Sequence, residues 1–178
     1  MRRMLVLASL GLSLSAAALR AQMPDGSSNR AAIGKLDFMV GRWTGEAWMQ
    51  RGSERVQTTM TETVERRLDG VVLQVEGRGV VPAVAGGEPR VVHHAFAVIS
   101  FDAQAGAYGL RSYLASGLFG DFVLTLIPGG VIWSRDVPGG RVRNTARIAN
   151  GEWHEVGEFS RDGVSWTPIM EIRLRRQP

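Results

Sequence analysis

Apolar and polar residues alternate with a period of two through the C-terminal part of the chain, and two tight-turn dipeptides, Asn150-Gly151 and Asp162-Gly163, divide it. Both dipeptides favour the type I′ turn of a two-residue hairpin, which fixes strand register. The first turn predicts Ile148 opposite Trp153, Ala146 opposite Glu155, Asn144 opposite Gly157 and Val142 opposite Phe159. The second predicts Phe159 opposite Trp166, Gly157 opposite Pro168, Glu155 opposite Met170 and Trp153 opposite Ile172. One face then carries Val142, Ile148, Trp153, Phe159, Trp166, Met170, Ile172 and Leu174. The other carries Arg141, Arg143, Arg147, His154, Glu158, Glu171, Arg173 and Arg175 and wants water. The pattern is a three-stranded antiparallel meander with an apolar side and a charged side.

Upstream the same period recurs in shorter runs. Asn29 is placed to cap a brief helix reaching Leu36. Gln50 to Leu68 reads as strand around the Arg51-Gly52-Ser53 turn, with Met60, Val64 and Leu68 on one face in company with Glu62 and Arg66. A turn at Asp69-Gly70 leads to a half-buried strand through Val71, Leu73 and Val75, and Pro82 to Pro89 reads as a mobile loop. Arg90 to Phe101, Tyr108 to Ala115, Leu118 to Ile127 and Val131 to Asp136 supply further strands, separated by glycine- and proline-containing breaks. No helical stretch is long enough for a parallel crossover. The expectation is all-β: an up-and-down antiparallel barrel of about ten strands with a short N-terminal helix, closed so that no edge is bare. A barrel of that size encloses a cavity.

The start of the chain changes the charge picture. Arg2 and Arg3, the apolar run Met4 to Leu19 and the small residues at Ala18 and Ala21 have the form of a secretory signal peptide over 1–21. A flexible mature N-terminus follows over 22–29, then one barrel domain over 30–178, which predicts a periplasmic or secreted protein without a membrane span after cleavage. Cleavage after Ala21 removes three of the 21 basic residues, leaving 18 against 17 acidic ones. The remaining arginines are interleaved with acids, which argues against a nucleic-acid partner. Cysteine is absent, so there is neither disulfide nor thiol chemistry.

No nucleophile elbow, phosphate loop or dinucleotide fingerprint is present, and no residue is singled out as catalytic. The adjacent His93 and His94 diverge across a strand and cannot readily share a metal; one of them faces inward, while the first hairpin turns His154 outward, opposite Arg147. Chemistry is expected instead from polar residues on inward faces. Glu155 and Asn144 lie on the apolar face of the meander, and a buried carboxylate needs an arginine or a wet cavity. Arg66 and Arg111 are the candidate partners, with Tyr113 on the face of Arg111. Trp153, Phe159, Trp166 and Met170 are the expected ligand walls. The function this supports is a binding protein for a small, mostly apolar ligand. The alternative is an isomerase- or cyclase-type barrel enzyme using an inward glutamate, arginine and tyrosine. The apolar run Ala95 to Phe101 suggests a covered surface, as in a homodimer.

Three stretches, Leu36 to Gly45 with its Gly41-Arg42-Trp43, Ala95 to Tyr108, and Gly151-Glu152-Trp153-His154-Glu155 through Trp166, resemble a secreted bacterial lipocalin-like family of unknown function, of calycin type and distantly similar to nitrobindins. The resemblance implies a barrel whose early tryptophan closes one end against an arginine of the last strand, here Arg173, Arg175 or Arg176. It implies a small apolar ligand and, through the nitrobindins, haem as a possible cofactor held by an inward histidine.

Overall fold

The computed structural model describes residues 25–83 and 87–178; the proposed signal peptide and the middle of the Pro82–Pro89 connection lie outside that range. Ten strands run in chain order: β1 (Gly41–Arg51), β2 (Glu54–Arg67), β3 (Val72–Val81), β4 (Arg90–Asp102), β5 (Ala107–Leu114), β6 (Phe119–Ile127), β7 (Gly130–Val137), β8 (Gly140–Ala149), β9 (Glu152–Ser160) and β10 (Thr167–Arg176). Each pairs antiparallel with its neighbour in sequence, and β1 pairs with β10, so the sheet closes on itself. Closure leaves every strand hydrogen-bonded on both sides, which is how an all-antiparallel chain avoids bare edges. The expected up-and-down barrel is the fold observed.

The first predicted hairpin has the register its turn dictates: Ile148 opposite Trp153, Ala146 opposite Glu155, Asn144 opposite Gly157 and Val142 opposite Phe159. Asn150 and Gly151 both hold positive φ, at 54° and 76°, as a type I′ turn requires. The second hairpin departs from its prediction. Asp162 does not sit in a two-residue turn; its carboxylate accepts hydrogen bonds from the N–H groups of Val164 and Ser165 at 2.8 and 2.7 Å and organises a loop over residues 161–166. Phe159 therefore faces Thr167 instead of Trp166, and a bulge between Pro168 and Met170 restores the inward parity of Met170. Glu155 stands opposite Ile172 and Trp153 opposite Leu174.

One end of the barrel is shut by helix α1 (Ser27–Gly34) and the 3-10 turn Asp37–Met39. The helix begins at Ser27, ahead of Asn29, whose side-chain amide donates to the Phe101 carbonyl at 2.6 Å instead of capping. Ile33, Leu36 and Met39 are buried against Val64, Leu73 and Ile99, and the Tyr108 hydroxyl donates to the Ala32 carbonyl at 2.8 Å. Trp43 plugs the same end, edge-on to Trp153 with ring centroids 5.5 Å apart. The arginine laid over it is Arg176, 4.1 Å from the ring centroid, which also donates to the carbonyls of Phe38 and Val40. Leu68, expected inward, is instead exposed at a positive φ of 50° where β2 ends. Among the described residues no helix lies over the opposite, open end.

Candidate functional site

Small inward residues leave space in the middle of the barrel. Gly77 on β3, Ala95 and Ala97 on β4, and Ser112 on β5 project little or nothing where neighbouring positions carry methionine, leucine or tryptophan. The result is a cavity of about 190 Å³, walled by Met60, Val75, Leu110, Phe122, Trp133, Trp153 and Met170 among others. At ~30 Å³ per water this is room for roughly six waters; a ~150 Å³ apolar cavity is known to accept benzene. A molecule of about one ring therefore fits.

The polar groups on this wall are few. Glu155, 5% exposed, points in from β9. Its Oε2 accepts the indole N–H of Trp153 at 3.2 Å. Glu62, 8% exposed, points in from β2 and lies across the backbone of Gly77, where a β-carbon would come within 2.5 Å of its Oε1. Among the described residues Glu62 has neither a hydrogen-bond donor nor an ion-pair partner. Burial raises the pKa of Glu155 to about 7, with the Trp153 hydrogen bond pulling the other way. Burial also pushes Glu62 well above the usual carboxylate range, and the charges of Glu155 and Glu76 add to that push. Both shifts favour the protonated forms, and Glu155, at about 7, is close to half ionised at neutral pH.

Asn144 lines the cavity as expected, its Oδ1 lying over Gly157, where a β-carbon would approach to 2.7 Å. His93 is the inward member of the histidine pair, and burial, followed by His94 and Arg51, holds its imidazole below the ordinary value. His94 pairs outside with Glu76, and His154 faces outward beside Glu171.

Five of the expected site residues lie elsewhere. Arg111 is on the outer wall, where it grips Asp121 of β6 through two hydrogen bonds of 2.6 and 2.7 Å. Tyr113 shares that outer face and packs by Phe119; the inward residues of β5 are Leu110, Ser112 and Leu114. Arg66 ends β2 at the closed end, half-exposed, in an ion pair with Asp37. Trp166 precedes β10 and lies outside, with the Arg143 guanidinium 3.9 Å above its ring. Phe159 has the inward parity but stands beyond the cavity at the open rim, its ring packed over Gly140. Among the described residues Glu155 consequently has no arginine partner, and the expected glutamate–arginine–tyrosine set does not assemble. Trp153, Met170, Asn144 and Glu155 do meet.

Glu62, expected on the inward face of β2 with Met60 and Val64, is found there. Ser112, Trp133 and Arg135 were not among the expected site residues, although Arg135 follows Val131 and Trp133 at the spacing of one face. Arg135 lies 5.0 Å over Phe122 toward the open end, its Nε buried without a partner among the described residues.

With the geometry in place, known proteins add one comparison. The crystal structure of Rv2717c from M. tuberculosis superposes with a TM-score of 0.60 at 15% identity, covering 83% of this chain and 98% of that one. The barrel is lipocalin-like. No protein-family model and no curated protein matches the sequence. Among the described residues no helix is long and apolar enough to cross a membrane, and no group of three or more acidic, histidine or cysteine side chains could hold a metal ion.

Proposed function

We propose that the protein binds a small, mostly apolar molecule inside the barrel and does so outside the cytoplasm. The observation that carries the first part is the cavity of about 190 Å³, apolar over most of its wall and polar at a few convergent groups, the usual design of a small-molecule site. The support for the second is the charged, then apolar, then small-residue pattern of residues 1–21. Native mass spectrometry of protein purified from its own host tests both: the expected result is a mass lacking the first 21 residues or so and carrying a small adduct. An intact N-terminus sinks the export reading. An empty barrel that takes up no apolar probe sinks the binding reading.

One observation favours a second reading. Glu155, with a pKa of about 7, shares the cavity with Glu62, whose protonated form burial favours, a pairing suited to passing a proton to and from a bound molecule. An isomerase on this barrel would use those two carboxyl groups, and its rate would vanish in either glutamine variant.

A further inference from the structure

Among the described residues the barrel interior holds two carboxyl groups and no cation placed against them. The arginines nearest in the sequence pattern are committed elsewhere: Arg66 to Asp37, Arg111 to Asp121 and Arg143 to Glu158. Arg135 does point inward, but the register sets Val131 level with Ala146 and Glu155, and Arg135 level with Val142 and Phe159. At ~3.3 Å per residue its attachment lies about 13 Å nearer the open end. Glu62 is the more telling of the two acids, being more than nine-tenths buried, aimed into the cavity and unpartnered among the described residues. Groups in that condition are expensive to keep unless something satisfies them.

Building on the binding reading above, we infer that the cavity recognises a ligand with an apolar body of about one ring and a protonated nitrogen, the ammonium lodging between Glu62 and Glu155. An ammonium offers three donors and a positive charge, answering the unpartnered oxygens of Glu62 and the free oxygen of Glu155 together. A neutral apolar molecule leaves Glu62 as it is, and an anion meets like charge in a medium where charge is poorly screened. Trp133 and Trp153 on the same wall supply apolar surface for the body of the ligand. The other titratable or charged groups that bear on the pair are Glu76, whose charge reaches Glu62, and His93 and Arg135 toward the open end. His93 is held neutral near pH 7 and does not oppose a cation.

Calorimetric titration of the purified protein at pH 8 with benzylamine, benzyl alcohol and benzoate tests this, since the three share one body and differ in charge. The expected order is benzylamine at least tenfold tighter than benzyl alcohol, with benzoate weakest. In Glu62→Gln and in Glu155→Gln the amine preference should fall to about threefold or less while benzyl alcohol affinity holds. Arg111→Ala, on the outer wall, should leave all three unchanged. Binding of benzyl alcohol or benzoate without preference for the amine overturns the inference and leaves the binding barrel standing. Preference that survives both glutamine variants overturns it equally. Failure of all three probes removes both.

Discussion

Trp153 and Glu155, two residues apart on β9 and therefore on one face, are joined inside the barrel by a hydrogen bond of 3.2 Å from the indole nitrogen to the carboxylate. It is the sole hydrogen bond to Glu155 among the described residues, and it opposes a burial effect larger than itself. The carboxyl group titrates at about 7 in the fold, against 4.5 ordinarily. Below pH 4.5 folded and unfolded chains both hold the proton and nothing changes with pH. Above it the unfolded chain ionises first, so stability falls as pH rises and stops falling near pH 7, where the folded carboxyl ionises too. The separation is worth about 3 kcal/mol at ~1.36 kcal/mol per pH unit. Glu62 acts in the same direction. His93, with its pKa held down, acts in the opposite one, withdrawing stability as pH drops below 6.5. Denaturant unfolding of Glu155→Gln against the parent at each pH cancels the histidine: the variant should gain on the parent between pH 4.5 and 7 and be the more stable at pH 8. Parallel curves would refute the burial account.

Trp153→Phe keeps most of the ring and removes the donor. The midpoint of Glu155, followed by carboxyl carbon NMR, should move upward from about 7. A downward move would mean that the indole is not what steadies the charged form.

Gly77→Ala places a methyl group where the Glu62 carboxyl now lies, 2.5 Å from Oε1. The obstacle is the end of a flexible side chain, so folding should survive with a loss on the order of 1 kcal/mol. Benzylamine affinity should drop at least tenfold as the carboxyl is displaced. Unchanged affinity would detach Glu62 from the site.

Arg176→Ala removes the guanidinium from Trp43 and from the Phe38 and Val40 carbonyls. A loss of about 1 kcal/mol, in line with an exposed cation–π contact plus hydrogen bonds, should appear in denaturant unfolding, with ligand affinity unaltered.

Gly151→Ala isolates a backbone effect, since an added β-carbon meets nothing within 4 Å at a φ of 76°. The expected loss is about 1 kcal/mol, the ordinary penalty for a left-handed non-glycine residue. A neutral result would show that the hairpin relaxes.

The contrast between the two C-terminal turns shows what local pattern can carry. Asn150-Gly151 has both residues at positive φ and nothing competing for them, so the register of β8 and β9 follows from two letters. Asp162-Gly163 looks equivalent, yet the Asp162 carboxylate captures N–H groups of the next residues and holds a longer loop open, an alternative that Asp side chains always offer. That shift left Met170 and Ile172 inward only because the bulge at Pro168 restored their parity; Trp166 had no such rescue and went to the outer face. Arg111 and Tyr113 lie outside for another reason: Leu110 and Leu114 alternate on the opposite face of β5 and fill the interior, while Asp121 stands across from Arg111 on β6. Alternation along β2 and β9 disclosed that Glu62 and Glu155 face inward, but which arginines reach them depends on the closed ring as a whole.

The seam between β1 and β10 has a bearing on how the molecule comes into being. Gly45 there sits so close to the other strand that a β-carbon would lie 2.0 Å from the Arg173 carbonyl oxygen, and Trp43 waits for Arg176. During synthesis β1 emerges first and its partner last, so every nascent chain short of β10 is an open sheet with two bare edges. The barrel cannot be finished piecemeal on the ribosome: its sheet closes only once the last strand is available.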